Sequence, residues 1–450
     1  MKFIAMLLFA EFNQAFGQGL NFATNTYSVG NQPYSVVAAN IKGDGLPTLI
    51  CANALDNTLL VLTNNGNGGF GSNTIYKVGN APKSVTTADV NGDGWVDIIC
   101  ANYSDNTISV LTNDGSGGLV LASTPSTLLS SYGSSPNAVI AADVNGDGKM
   151  DLISANGSGT SGSLSVLTNN GSGSFSLATI LLPTGPTYAV VAADVNQAGK
   201  LDLICPNLNA GTLSVFTNNG SGGFRLSATL TVGSTPNSVV ATDINGDHKV
   251  DLICLNNGGT ANNGSLTVFT NNRSGGFGLK ATYNAGNKPT AITATDINGH
   301  GQADIIIANY GGNSLMVYTN NGSGGFTIAA SPTVGNGPYS VISADVNGDG
   351  KPDLINPNKL DNTVSVLMNT NAFIPPSSTP SMAMNHSDNK FLVSWPSASS
   401  GWSLQQNLDL TTANWSPSGY NGFQIVDDGT NKSLTIMPTR VNFYFRLLHP

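Results

Sequence analysis

Glutamate is nearly missing from this chain: among 450 residues the only one is Glu11, and aspartate supplies the rest of the 26 acids. Charge of either sign is scarce, at 10% of residues where an average globular chain carries about a quarter. With 17 basic residues and a formal net charge of -9 there is no broad basic footprint, which leaves phosphate-backbone binding to nucleic acid without support. Beyond the N-terminal segment no apolar run approaches the roughly 18 residues of a membrane span. Histidine occurs four times, and no His/Cys metal spacing, Gly-rich phosphate loop or Ser/His/Asp set stands out.

What is present is glycine, 53 residues of it, with Asn, Ser and Thr between short alternating strings of Val, Ile, Leu and Thr. That is how many short strands joined by tight turns look, and the abundance of β-branched residues argues against disorder. Residues 1–17 run from Lys2 through the apolar stretch Phe3 to Ala10 to the small residues Ala15-Phe16-Gly17. This is the plan of a secretory signal peptide with cleavage after Gly17, so a secreted or cell-surface protein is expected.

One block recurs seven times, beginning at Asn40, Asp89, Asp143, Asp194, Asp243, Asp296 and Asp345, at spacings of 49 to 54 residues. A period near 50 indicates a propeller or a linear array. Each unit reads as four strands: a run such as Ser84 to Ala88, a loop such as Asp89 to Asp97, a run such as Ile98 to Asn102, a D-N-T-I-S-V-L-T-N string, and an outer stretch such as Phe70 to Val78. The seventh copy stops after Thr363 to Asn369 and lacks its outer strand, whereas Leu20 to Gly30 matches that missing piece at the other end of the chain. The N-terminal strand is therefore expected to complete the last blade and close an all-β, seven-bladed propeller over residues 18–370, monomeric, with two free edges removed by the closure. Cys51, Cys100, Cys205 and Cys254 fall at one repeat position. Equivalent strands of neighbouring blades lie too far apart for disulfides, so small buried apolar residues are expected there.

Phe70-Gly71 followed by Gly79-Asn80-Ala81-Pro82, together with the D-x-N-G-D-G-x-x-D loops, resembles the FG-GAP repeats of bacterial VCBS-repeat proteins and integrin α-chain propellers. The resemblance implies an extracellular, calcium-stabilised propeller that contacts other molecules through loops on its faces.

Read chemically, the loops suit calcium, which takes six to eight oxygen ligands that carboxylates alternating along a tight turn can supply. In the second unit Asp89, Asn91 and Asp93 stand at loop positions 1, 3 and 5, the Trp95 carbonyl at 7 and Asp97 at 9. The same set recurs as Asp143, Asn145, Asp147, Lys149 and Asp151, as Asp243, Asn245, Asp247, Lys249 and Asp251, and as Asp345, Asn347, Asp349, Lys351 and Asp353. About four Ca2+ sites are expected. The first loop keeps one carboxylate, Asp44, with Lys42 at position 3 and Thr48 at position 9, and is rejected. The fourth and sixth, with Ala198 and His300 at position 5, are incomplete.

An enzyme is not expected, because nearly every aspartate belongs to a repeated turn and no nucleophile stands beside a base. The alternatives are a lectin-like propeller or a sugar-cleaving lyase or hydrolase using Tyr, Lys and Asn. The expected binding surface is the face opposite the acidic loops, where Tyr34, Lys83, Tyr188 and Tyr339 share one repeat position and Tyr103 and Tyr310 sit in neighbouring turns. Tyrosine gives a large contact area with a polar tip, so a protein or carbohydrate ligand is anticipated there. Residues 371–381 read as a Pro/Ser linker and 382–450, with Trp395, Trp402 and Trp415, as a small sandwich-like β-domain.

Overall fold

The computed structural model describes residues 20–127, 135–261, 263–272 and 275–371, together with seven short strands in the C-terminal part. The signal-peptide segment 1–17, the linker 371–381 but for Asn371, and the packing of Trp395, Trp402 and Trp415 lie outside the described residues. Seven four-stranded antiparallel sheets follow one another in chain order. Blade 1 comprises Pro33–Ala39, Thr48–Asn53, Thr58–Asn64 and Phe70–Lys77, and blade 2 comprises Pro82–Ala88, Asp97–Asn102, Thr107–Asn113 and Leu119–Ser123. Blade 7 is built from Ile342–Ala344, Asp353–Asn358 and Thr363–Asn369, and its outer strand is the N-terminal Phe22–Ser28. That last pairing runs unbroken from Phe22 opposite Asn369 to Ser28 opposite Thr363, so the ring closes as the complementary ends of the sequence require.

The second strand of every blade is buried along its length, but for the terminal Ser158 in blade 3, whereas outer strands such as Phe22–Ser28 and Phe224–Thr231 are largely exposed. The apolar residues collect into seven clusters, each shared by two neighbouring blades. One of them joins Val36, Leu49 and Leu60 of blade 1 to Val346, Ile355 and Val366 of blade 7. The four cysteines are free and fully buried within these clusters, as their shared repeat position implies.

Polar side chains tie the blades together at both faces. At the acidic-loop face the last residue of each third strand is an asparagine that reaches the previous blade. Asn113 Nδ2 donates to the Ile41 carbonyl of blade 1 at 2.7 Å and to the Val96 carbonyl of its own loop at 3.1 Å. The same bond runs from Asn169 to Val90, Asn218 to Val144, Asn271 to Val195, Asn320 to Ile244, Asn369 to Ile297 and, across the closure, from Asn64 to Val346. At the other face the D-N-T turns do similar work. Asn57 Oδ1 accepts the Ala81 N–H of the next blade, and Asn362 Oδ1 accepts the Gln32 N–H across the closure.

The glycine of the Gly-Asn-x-Pro turn has a packing reason. A Cβ on Gly79 would come within 2.6 Å of the Asn102 side chain, which is itself buried and donates to Thr107 and Ser109 of the neighbouring strand. Only a residue without a side chain lets that turn close over the asparagine.

In the C-terminal part Ala383–Ser387, Lys390–Pro396, Asn431–Ile436 and Ile425–Asp427 form one antiparallel sheet in that order. Ser416–Pro417, Ser403–Asn407 and Tyr444–Leu448 form another.

Asn113→Ala leaves two carbonyls at a buried blade junction without their donor, and each such group costs about 1–3 kcal/mol. A clear fall in the denaturation midpoint is expected, against a shift within about 0.5 kcal/mol for Thr74→Ala on the exposed outer strand of blade 1. Equal midpoints for the two variants would mean that the asparagine does not hold the blades.

Candidate functional site

Two sets of candidate residues occupy opposite ends of the inner strands. In blade 1, for example, Tyr34 stands at the start of the first strand and the acidic loop leaves its end at Asn40.

In the acidic loops most of the carboxylate oxygens face backbone N–H groups. In blade 2 Asp89 accepts Gly92 N at 2.7 Å and Gly94 N at 2.8 Å, one on each oxygen. Asp93 accepts Trp95 N and the Asn91 amide. Asp97 is fully buried and accepts Val90 N at 3.0 Å and Asn113 N at 2.8 Å. Asp143 and Asp345 hold the same pairs of loop amides, and at Asp243 the second amide belongs to His248, whose φ of 61° places it in the left-handed region usually kept for glycine.

The position-9 aspartate behaves alike in intact and incomplete loops. Asp202, in the loop with Ala198 at position 5, accepts Val195 N and Asn218 N, and Asp304, in the loop with His300, accepts Ile297 N and Asn320 N. Its first role is therefore to satisfy backbone donors at the blade junction, a role the loop spacing by itself did not reveal. Burial pushes the carboxyls of Asp97, Asp151, Asp202, Asp251 and Asp353 above the usual range, against the lowering effect of the two N–H bonds. The neighbouring loop carboxylates raise them a little further, Asp93 and Asp89 in the case of Asp97.

The position-7 lysines contribute more than a carbonyl. Lys249 Nζ lies 2.5 Å from Asp247 Oδ2, and Lys149 and Lys351 lie 3.6 Å from Asp147 and Asp349. The Lys249 contact holds the Asp247 carboxyl below its ordinary range. Trp95 instead lays its indole against Gly43 of the first loop and Gly115, where an added Cβ would collide with the ring.

Among the described residues no three His, Cys, Asp or Glu side chains converge into a group that could hold a metal ion. As donors the loops still suit a hard divalent cation. Each oxygen of Asp89, Asp93 and Asp97 accepts one N–H and keeps a second lone pair.

At the opposite face the six residues singled out for ligand binding come together around the propeller axis. The Tyr34 and Tyr339 ring centroids are 4.4 Å apart, and Tyr310 meets Tyr339 edge-on at 6.2 Å. Lys83 Nζ sits over the Tyr103 ring, 3.0 Å from its centroid. Burial raises the Tyr339 hydroxyl, and so do Tyr34, Tyr188, Tyr310 and Tyr103, which places all five tyrosines in one electrostatic neighbourhood. Burial, and then the charge of Lys359, lowers Lys83 to about 8. Lys359 is a member that the sequence reading missed. Its Nζ donates to Tyr34 Oη at 2.7 Å and lies over the Tyr34 and Tyr339 rings. The signal was available, since Lys359 occupies the repeat position of Tyr103 and Tyr310 directly after the buried strand-end asparagine.

The family model described as FG-GAP-like repeat matches residues 40–100, 89–154, 143–205, 194–254 and 296–355, more than half of the chain. Among solved structures the chain is similar to BBS1N in two crystal structures with ARL6DN, one soaked with lead and one with mercury. Identity is 12% in both, with TM-scores of 0.55 and 0.54, over 79% and 78% of this chain and 98% of each of those chains. At that identity the likeness shows the fold. None of the curated proteins compared matches the chain.

Asp202→Asn separates the backbone role from metal binding, because its loop lacks the position-5 carboxylate. An amide offers one acceptor where two N–H groups need one each, so a loss of about 1–3 kcal/mol is expected at pH 7, with or without chelator. Since the folded state raises the Asp202 pKa, it binds this proton more readily than the unfolded chain. Wild type should therefore gain stability relative to the variant as pH falls through the folded pKa towards 3.8, the ordinary value. Denaturant titrations across that range test both signs, and a variant as stable as wild type would remove the backbone role.

Proposed function

The chain belongs to the FG-GAP-like repeat family, and on that premise we propose that it is an interaction module, exported by residues 1–17, that binds a protein or carbohydrate ligand through the tyrosine and lysine mouth and carries out no chemistry of its own. The observation that carries this reading is the convergence of Tyr34, Lys83, Tyr103, Tyr188, Tyr310 and Tyr339, from blades that are otherwise close copies, onto one axial surface. Tyr188 remains 39% exposed there, so the cluster is open to a partner rather than sealed as core. BBS1N, similar in fold, was crystallised in complex with ARL6DN, which lends weight to a protein as the ligand. Enzyme chemistry finds little to work with at the mouth, where two lysines and five phenols face each other and the aspartates of the same face, Asp56, Asp105 and Asp361, are engaged by the N–H groups of Asn31, Asn80 and Asn336.

Calcium is the ion we assign to the four complete loops, held in blade 2 by Asp89, Asn91, Asp93, the Trp95 carbonyl and Asp97. Three carboxylates in one turn, one of them desolvated and raised by its neighbours, favour a compensating cation. Bound, it would neutralise that charge and stiffen the loop. At about 1 mM calcium and a Kd near 0.1 mM each site adds roughly 1.4 kcal/mol of stability. Chelation should then lower the melting temperature by several degrees, and Asp93→Ala should reduce the bound calcium by one ion while leaving Asp97 on its backbone partners. Thr48→Ala in the first loop should leave the stoichiometry unchanged. Metal analysis that finds no calcium, or melting indifferent to chelator, would refute the assignment.

The ligand face is tested with the mature protein, whose N-terminus is expected at Gln18. Tyr34→Ala, Tyr188→Ala and Tyr339→Ala combined should abolish ligand capture on a glycan array or in a pull-down, in a protein whose cooperative melting transition shows that it remains folded. Capture that survives the triple change would move the site elsewhere on the propeller.

A further inference from the structure

The charge at the mouth constrains what its ligand carries. Lys83 of blade 2 and Lys359 of blade 7 flank blade 1, and both ammonium groups lie over the Tyr34 ring, 5.6 and 4.2 Å from its centroid. The ion pairs found among the described residues all lie in the acidic loops at the other face, so neither lysine is matched by a carboxylate there. In a chain with a net charge of -9, two cations without an ion pair among the described residues thus lie over one aromatic ring. Their mutual repulsion shows in Lys83, lowered to about 8 by burial and then by Lys359. An anion received between them relieves that repulsion and gains charge-assisted hydrogen bonds.

The rim is apolar. Leu55 and Leu360, in the turns after the second strands of blades 1 and 7, are 64% and 58% exposed. Both Leu360 and Tyr310 pack against the Gly337 turn. Leucine side chains around a tyrosine centre offer area that apolar side chains of a peptide can bury, whereas the hydroxyl-covered surface of a sugar gains little from them.

Resting on the interaction-face reading, we propose that the mouth receives an acidic peptide segment of a protein partner, an Asp or Glu carboxylate lying between Lys83 and Lys359 and the flanking apolar side chains covering Leu55 and Leu360.

The probe is an acetylated, amidated Leu-Glu-Leu-Glu-Leu peptide with a fluorescent label, titrated against the full mature chain. Binding is expected to weaken at least tenfold when both glutamates of the peptide are replaced by glutamine, a change that leaves the protein untouched. Lys83→Met with Lys359→Met, which keeps the apolar stems, should weaken it by a similar factor. Affinity should also fall between pH 7 and pH 9 as Lys83, which faces Lys359, Tyr34, Tyr103 and Asn137, loses its proton. Equal binding of the two peptides would overturn the carboxylate assignment. Lysine-dependent binding of polygalacturonate without peptide binding would overturn the peptide in favour of an acidic sugar. If neither probe binds while the triple tyrosine change still abolishes capture of a natural ligand, this proposal fails and the interaction face stands.

Discussion

Each blade is tied to its predecessor by one asparagine, and the position of that asparagine is set by one buried aspartate. The pair recurs around the ring: Asp97 receives the backbone N–H of Asn113 while the Asn113 amide reaches Ile41 in blade 1. A propeller needs such a device because the first-to-second-strand loops bring backbone donors and acceptors to a junction that water does not reach, and an unpaired group there is costly. Blade 1 is the exception, with Thr48 at the aspartate position, yet Asn64 still reaches Val346 and closes the circle.

This framework explains how the two faces divide their work. The acidic-loop face is repetitive because its side chains answer to the backbone of two blades at once. Lys249 beside Asp247 and Trp95 against Gly43 show how the positions left free are filled by local packing and pairing. At the mouth the D-N-T turns and the Gly-Asn-x-Pro turns carry the structural bonds, as where Asp105 binds both the backbone and the side chain of Asn80. The residues next to them, at Tyr34, Lys83, Tyr339 and Lys359, are released from that duty. Variation is tolerated there, and in a closed ring variable residues at equivalent repeat positions of neighbouring blades meet, as Tyr34 meets Tyr339 and Lys83.

The family and the ring were legible because seven copies of one unit leave little freedom. The period gave the blade, the deficit at one end matched the surplus at the other, and the shared position of the four cysteines argued for burial. The loops were less legible. Asp, Asn and Gly at alternating positions serve both a cation and a turn, since the same oxygens accept N–H groups or bind an ion. Asp202 and Asp304 show the turn role in loops whose cation set is incomplete.

By itself the sequence determined the number of blades, the closing strand, the face on which each loop emerges and the absence of a broad basic surface, all of which follow from period, alternation and composition. Only the tertiary structure decided which partners those side chains take. Whether Asp97 answers to a loop or to the next strand, and whether Lys359 joins Tyr34 some 325 residues away, depends on how neighbouring blades pack. Those are contacts between separate copies of the repeat, and a pattern read within one copy does not contain the distance to the next.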